Sequence, residues 1–368
     1  MKYLFINSVY GKRSTGKIIA DKCHELQSEG SECMVAYGRE HIDDKTVQLV
    51  RIGSTADQFL HALLSRIFDN QGFCSAIATR RLIKVMEQFR PDVIWLHNLH
   101  GYYINVRILF KWLKKQKNIT IYWTLHDCWA FTGHCAYFTM AQCSKWKEGC
   151  TRCTQLRTYP KTYLWGRVSH NYRMKKKAFT GVPNLTLITP SRWLANLTRE
   201  SFLAQYPVEV IHNTIDRQVF HPTDSDFRRK YSLKSQRIVL GVAVGWENTK
   251  GLPDMLTLRT LLDDTYTIVL VGVTEKQIRD LPQGILGITR TENQIELAGI
   301  YSAADVFVNP THQDNYPTVN LEALACGTPV VTYDVGGSPE SAGGKYIVKE
   351  NDIEGLAKQI CTLCAGTK

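Results

Sequence analysis

The sequence predicts two α/β domains in tandem, each built on a doubly wound parallel sheet. Three observations carry that expectation. The chain has 368 residues, too many for one ordinary core and suited to two domains of roughly 150–200 residues. Short apolar runs alternate with amphipathic stretches through the first half, as strands and helices do in β-α-β units. The second half repeats the theme with apolar runs of its own.

The elements follow in order. KYLFINSV reads as a strand, then a glycine-containing loop, then an amphipathic helix from about Thr15 to Glu29 with Ile18, Ile19, Cys23 and Leu26 on one face. SECMVAYG is the next strand. Residues from about Thr55 to Arg90 read as helical, and Pro91 fits a stop before DVIWLHN. A helix Val106 to Lys117 and the strand ITIYWTLHD come next. Cys128 to Tyr163, rich in Cys, Trp, Tyr and Gly, breaks the rhythm as an irregular insertion. A helix from about Gly166 to Phe179, the strand NLTLITPS and a short helix from Trp193 close the first domain, 1–207. VEVIHNTIDRQVFHP reads as the linker region. The second domain, 208–368, has the strands RIVLGVAV, YTIVLVGV, DVFVNP and TPVVTYD with helices between them.

Composition narrows the class. Apolar residues make up 44%, a globular value. No run approaches the roughly 18 apolar residues of a membrane span, and the opening strand lacks the pattern of a signal peptide. A cytoplasmic protein is therefore expected. The net charge is +11, yet no nucleic-acid motif accompanies it. Basic residues cluster at Lys111, Lys114, Lys115 and Lys117, and at Arg173, Lys175, Lys176 and Lys177. Two readings stand: solvated helix faces, or attraction to an anionic membrane surface, where each contributes about 1 kcal/mol.

In folds of this class, ligands bind outside the carboxyl ends of the strands. The strongest motif there is THQDNYPTVNLEALACGTPVV, Thr311 to Val331. A strand ends at Asn309, Pro317 suits a first helical turn, a helix runs from about Thr318 to Ala325, and Gly327 is its C′ residue. The helix start formed by Asn315, Tyr316, Pro317, Thr318 and Val319, with its free N–H groups, suits a diphosphate. Glu322 can accept bonds from a ribose diol. Lys250 in TKGLPDM is a point charge for phosphate. In the first half, SVYGKRSTGKI brings Gly16 to a helix start. LHNLHGYYIN and WTLHDCW place His97, Asn98, His100 and His126 at strand ends.

On these residues the chain resembles the family-four retaining glycosyltransferases, whose fold is GT-B: two Rossmann-like domains facing a central cleft. A subgroup sharing DNYPTVNLEALACGTPVV, acting in surface-polysaccharide assembly of the colanic-acid or capsule type, looks most similar. The resemblance implies a metal-independent, hexosyltransferase-type enzyme with a nucleotide-diphosphate sugar as donor. It implies a saccharide or lipid-linked saccharide acceptor at the inner membrane face, and no nucleic-acid partner. The family's acidic residue, seven residues, then Glu maps to Asp314 and Glu322. Asp replaces the usual Glu at the first position. Lys250 maps to the diphosphate-binding Lys, while Trp246 and Gly245 stand where an Arg is common. Ser14-Thr15-Gly16 replaces a glycine pair. His126 matches the His that touches the donor sugar. His126, Asp314 and Lys250 are thus the implied catalytic set, Gly16 and 315–319 with Glu322 the donor set, and His97, Asn98 and His100 the acceptor side. Another GT-B sugar-nucleotide enzyme, an epimerase or hydrolase, and a non-catalytic nucleotide-sugar-binding protein at a membrane are the alternatives. IHNTIDRQVFHP and TPSRWLA are also similar to family segments, with Asn213 a residue that can line the cleft.

Cys135, Cys143, Cys150 and Cys153 remain, in GHCAYFTMAQCSKWKEGCTRC. A closed, structural tetrahedral zinc set is one reading, with His134 and Cys128 as further donors. Free thiols and disulfides are the others. No cofactor is required for catalysis in the family's mechanism.

Overall fold

The computed structural model describes residues 1–365. Among them the chain forms two compact units, Met1–His212 and 213–365. The last three residues of the expected second domain, 366–368, lie outside the described residues.

The first unit holds β1 (Lys2–Val9), β2 (Glu32–Glu40), β3 (Gln48–Arg51), β4 (Val93–Leu96), β5 (Thr120–Thr124), β6 (Leu185–Thr189) and β7 (Val208–Val210). They form one sheet in the order β3-β2-β1-β4-β5-β6-β7, parallel at every pair. Alternation along β1 sends Phe5 into a cluster with Ile19, Cys23 and Leu26 of the first helix. Leu4 and Ile6 enter the larger core on the opposite face with Leu109, Phe110 and Trp123.

The second unit holds β8 (Arg237–Val242), β9 (Tyr266–Val271), β10 (Ile285–Ile288), β11 (Val306–Asn309), β12 (Val330–Tyr333) and β13 (Tyr346–Val348). Their order is β10-β9-β8-β11-β12-β13, again parallel throughout. Its cores also lie on the two faces of the sheet: Val239, Ile268 and Val331 on one, Ile238, Leu240 and Phe307 on the other.

Three sequence expectations are corrected. The boundary lies five residues later than 207, because 208–210 pairs with β6 and completes the first sheet. The expected helix across 55–90 is two helices, Thr55–Phe68 and Ala76–Phe89. Asp69 and Ser75 take left-handed backbone and Gly72 a positive φ of 84°, which breaks the helix between them. The first helix starts at Arg13, two residues earlier than expected.

Candidate functional site

In the second unit, a loop carries the chain from β11 into the helix Thr318–Ala325, where the sequence places it. Two glycines seat that loop. Gly251 has φ +74°, and a Cβ there would stand 2.2 Å from the Pro310 carbonyl oxygen; Gly336 has φ +59°, and a Cβ would stand 1.9 Å from that of Asp314. No side chain larger than hydrogen fits either position. The His312 N–H donates to the Thr249 carbonyl at 3.0 Å, tying the loop to the segment that ends in Lys250. Lys250 Nζ then meets Asp314 Oδ2 at 2.6 Å, and Asp314 Oδ1 accepts from the Asn315 N–H at 2.9 Å. The two expected catalytic residues of this unit are therefore one ion pair.

The helix begins without a side-chain cap, with Pro317 at the N-cap position, one residue before the first turn where the sequence suggested it. The first-turn amides of Thr318 and Val319 are the positive end of that helix. The Asn213 amide donates to the Tyr316 carbonyl at 3.3 Å, so Asn213 supports the loop within its own unit. One turn in, Glu322 Oε2 accepts from the buried Tyr301 hydroxyl at 3.0 Å. Gly327 follows the helix with φ +85°, as its C′ position requires. Trp246, in place of an Arg, is buried and donates from Nε1 to the Val271 carbonyl at 2.9 Å.

Two supports escaped the sequence reading. His312 bridges Asp254 through Nε2 and Glu350 through Nδ1, both at 2.8 Å. The bond to Asp254, then that to Glu350, raises its pKa against the effect of burial. Beneath the helix, Asn320 is fully buried; it accepts from Asn309 at 2.9 Å and donates to the hydroxyls of Ser338 at 3.1 Å and Ser341 at 2.9 Å. Asn309 at a strand end and Asn320 in an apolar helix were the available signals.

In the first unit, β4 and β5 deliver histidines past their ends. His97 Nδ1 and His126 Nε2 share a hydrogen bond of 3.1 Å with their rings stacked. Burial lowers the His126 pKa to about 4 and that of His97 well below its ordinary value, so the pair is neutral at pH 7. His126 keeps some surface open although protein surrounds it on most sides. His100 is linked elsewhere: Nε2 to Asp127 at 2.8 Å and Nδ1 to the Tyr159 hydroxyl at 2.9 Å. Burial pushes the Asp127 pKa up, but the His100 charge and the bonds from His100 and the Trp129 N–H bring it down on balance. Asp127 and Tyr159 were not singled out from the sequence, although Asp127 stands beside His126. Asn98 is held by its backbone, its N–H donating to Asn7 Oδ1 at 3.2 Å. Gly16 lies inside the first turns of its helix, where its carbonyl accepts the Gly11 N–H at 2.9 Å.

The expected basic clusters meet differently from their sequence positions. Arg80, Arg107, Lys111, Lys114 and Lys177 line one cavity of about 520 Å³. Lys175 is not part of any solvated face. It repeats at helical spacing with the buried Val168, Tyr172 and Phe179, so the helix turns it inward. Its Nζ donates to the carbonyls of Trp129 at 2.7 Å and Thr132 at 3.1 Å and lies 3.6 Å from the Trp129 ring. Burial lowers its pKa to about 7.

All eleven cysteines are free thiols, which removes the disulfide reading. Cys135, Cys143, Cys150 and Cys153 line one small cavity. Among the described residues, no group of three or more His, Cys, Asp or Glu side chains is placed to hold a metal ion as it stands. No described helix is long and apolar enough to cross a membrane.

Comparison with known proteins agrees with this layout. The family model "Glycosyltransferase Family 4" matches residues 16–219, and "Glycosyl transferases group 1" matches 236–365. The colanic acid biosynthesis protein WcaC of Escherichia coli K12, itself a putative glycosyl transferase, is 26% identical over 72% of this chain and 66% of its own length. A processive diacylglycerol alpha-glucosyltransferase of Acholeplasma laidlawii is 26% identical over 42% of this chain and 49% of its own. The chain thus spans just under two thirds of the first relative and about half of the second. Among solved structures, sucrose-phosphate synthase of Thermosynechococcus elongatus matches with TM-score 0.69 at 16% identity, covering 100% of this chain and 90% of that one. HepE of Anabaena, solved with UDP, matches with TM-score 0.66 at 14% identity, covering 100% and 91%. Such identities speak for the fold, which is GT-B. With more than half its residues matched by a single family model, the chain belongs to Glycosyltransferase Family 4.

Proposed function

We propose that the chain is a retaining, metal-independent glycosyltransferase that moves a sugar from a nucleotide-diphosphate donor to a saccharide or lipid-linked saccharide in surface-polysaccharide assembly. The observation that carries this reading is the loop of the second unit, which gathers Lys250, Asp314, an uncapped helix start and Glu322. Glu322 accepts from the ribose diol. Lys250 and the first-turn amides of Thr318 and Val319 stabilise the charge that develops on the leaving diphosphate, as preorganised donors do. Donor binding recruits Lys250 to the phosphates and frees Asp314 for the sugar hydroxyls. His126 of the first unit, kept neutral by burial, is able to bond sugar hydroxyls.

The reaction forms a bond between the acceptor oxygen and the anomeric carbon and breaks that carbon's bond to the diphosphate. The acceptor proton passes to the departing phosphate oxygen on the same face of the sugar, which is the route to retention. WcaC, named for colanic acid biosynthesis, supports a polysaccharide acceptor, and the UDP bound by HepE supports a nucleotide donor.

The first unit also supports work at the inner face of an anionic membrane. It carries the five-cation cavity and exposes Phe59, Leu60, Leu63, Leu164 and Trp165, the combination that binds an interface.

The test is product analysis. Proton NMR of the glycoside from an α-linked donor is expected to show the α product first, at a rate unchanged by leaving out magnesium and manganese. A β product, or a rate that requires added magnesium or manganese, contradicts the reading. Isomerised or hydrolysed donor as the sole product assigns an epimerase or hydrolase instead.

A further inference from the structure

Between β5 and the helix Val168–Phe179, the regular structure among the described residues is one 3-10 turn, Trp129–Phe131. Cys135, Cys143, Cys150 and Cys153 line a cavity of about 30 Å³ with His134 and Trp146. That volume suits a single small ion or water and excludes an organic ligand. On one side Phe131, Phe138 and Trp146 pack ring to ring, so the thiols have an apolar backing.

Backbone N–H groups reach two of the sulfurs. The Gly133 N–H donates to Cys150 Sγ at 3.1 Å, and the Gln155 N–H donates to Cys153 Sγ at 3.4 Å. Lys175, fully buried, stands on the Trp129 and Thr132 carbonyls that lead into His134 and Cys135. His134 gives the independent sign of a missing partner. Its side chain is 0% exposed and its Nδ1 is fixed by Asp69 at 2.6 Å, while its Nε2 is buried with no hydrogen-bond partner. Buried polar atoms are seldom left so.

We propose that Cys135, Cys143, Cys150 and Cys153 bind one structural zinc ion as thiolates, with His134 in the wall beside them. Four thiolates on Zn²⁺ leave a net charge of about −2. The two backbone N–H groups are outer donors of the kind such a centre requires. Binding releases the four thiol protons to solvent. The sulfurs line the cavity without converging on one point. Each cysteine has a single side-chain torsion, and steps between staggered positions at Cys135 and Cys143 re-aim those sulfurs while the N–H bonds to Cys150 and Cys153 stay in place. The ion would staple the segment that brings Tyr159 to His100.

The test is elemental analysis of the full chain, purified without a metal-binding tag from zinc-supplemented cells. About one zinc per chain is expected, lost in Cys143→Ser and Cys150→Ser and kept in Cys74→Ser and His134→Gln. Cobalt reconstitution of the unaltered chain guards against variants that fail to fold, since tetrahedral thiolate-bound cobalt has intense visible bands. No zinc together with no such bands overturns the proposal. So does an intact mass lower by two hydrogens, which marks a disulfide. Zinc kept in Cys143→Ser but lost in His134→Gln overturns the four-thiolate set in favour of an imidazole ligand.

Discussion

Past the strand ends of the first unit stand histidines surrounded by protein, and burial keeps His97 and His126 neutral. Past those of the second unit stand charges in pairs: Lys250 with Asp314, and His312 with Asp254 and Glu350. Both sheets use the same rule for placing a site, the carboxyl end of a parallel strand. They differ in how the polar groups are prepared. A neutral imidazole suits contact with sugar hydroxyls. A lysine held by one carboxylate suits a phosphate that can displace that carboxylate.

The largest expected effect breaks the charged side. Lys250→Ala is expected to slow nucleotide release by about 100- to 1,000-fold, the usual loss when a preorganised donor to a developing charge is removed. Initial rates at saturating donor check it, and a loss under tenfold would detach Lys250 from the chemistry. Next is Gly336→Ala. Its Cβ would overlap the Asp314 carbonyl oxygen at a backbone φ of +59°, so the loop must move or strain. A loss of about 3 kcal/mol in denaturant-induced unfolding is expected, with weakened donor binding.

On the burial side, Lys175→Ala removes a side chain that is 1% exposed, packed on Trp129 and bound to two carbonyls. It is expected to cost about 2–4 kcal/mol of stability. The exposed neighbour Lys176→Ala is expected to change stability by less than about 0.5 kcal/mol. Equal effects would return Lys175 to the solvated face that its sequence suggests.

The smallest effect is in pH, and the two units should respond with opposite sign. His126 and His61 have pKa values lowered to about 4 by burial, against about 6.5 unfolded. Their contribution is complete above pH 6.5 and is lost as pH falls towards 4, because the unfolded chain binds the proton first. His312 has a raised pKa, so its contribution is complete below 6.5 and is lost as pH rises through its folded value. Melting curves from pH 4.5 to 8 should show His312→Gln lowering stability more at the acid end than at the alkaline end.

How much could be read beforehand follows the same physics. Interior strands such as KYLFINSV, YTIVLVGV and TPVVTYD were legible, since both faces are covered and the run is apolar. The strands that escaped are β3, β7, β10 and β13, the four edges of the two sheets. Each is three or four residues long and half-exposed along much of its length, so no apolar run announces it. The shift of the domain boundary is one consequence of missing β7. In the site, Lys250, Asp314 and Glu322 were legible because one short strand-loop-helix unit spaces two of them. Asp127, Tyr159 and His312 were not, because their partners lie 27, 59, 38 and 58 residues away along the chain. Lys175 looked like its basic neighbours until the helix face was known.

On the proposed function, one loop of the second unit binds a sugar nucleotide and draws its charge stabilisation from Lys250. Nucleotide release should be measured across a panel of UDP-, GDP- and other nucleotide sugars, for the native chain, Lys250→Ala and Glu322→Gln. Release from one donor class by the native chain, lost in both variants while their melting temperatures stay unchanged, is the expected result. Release unaffected by either substitution, or no binding of any sugar nucleotide by the native chain, would contradict it.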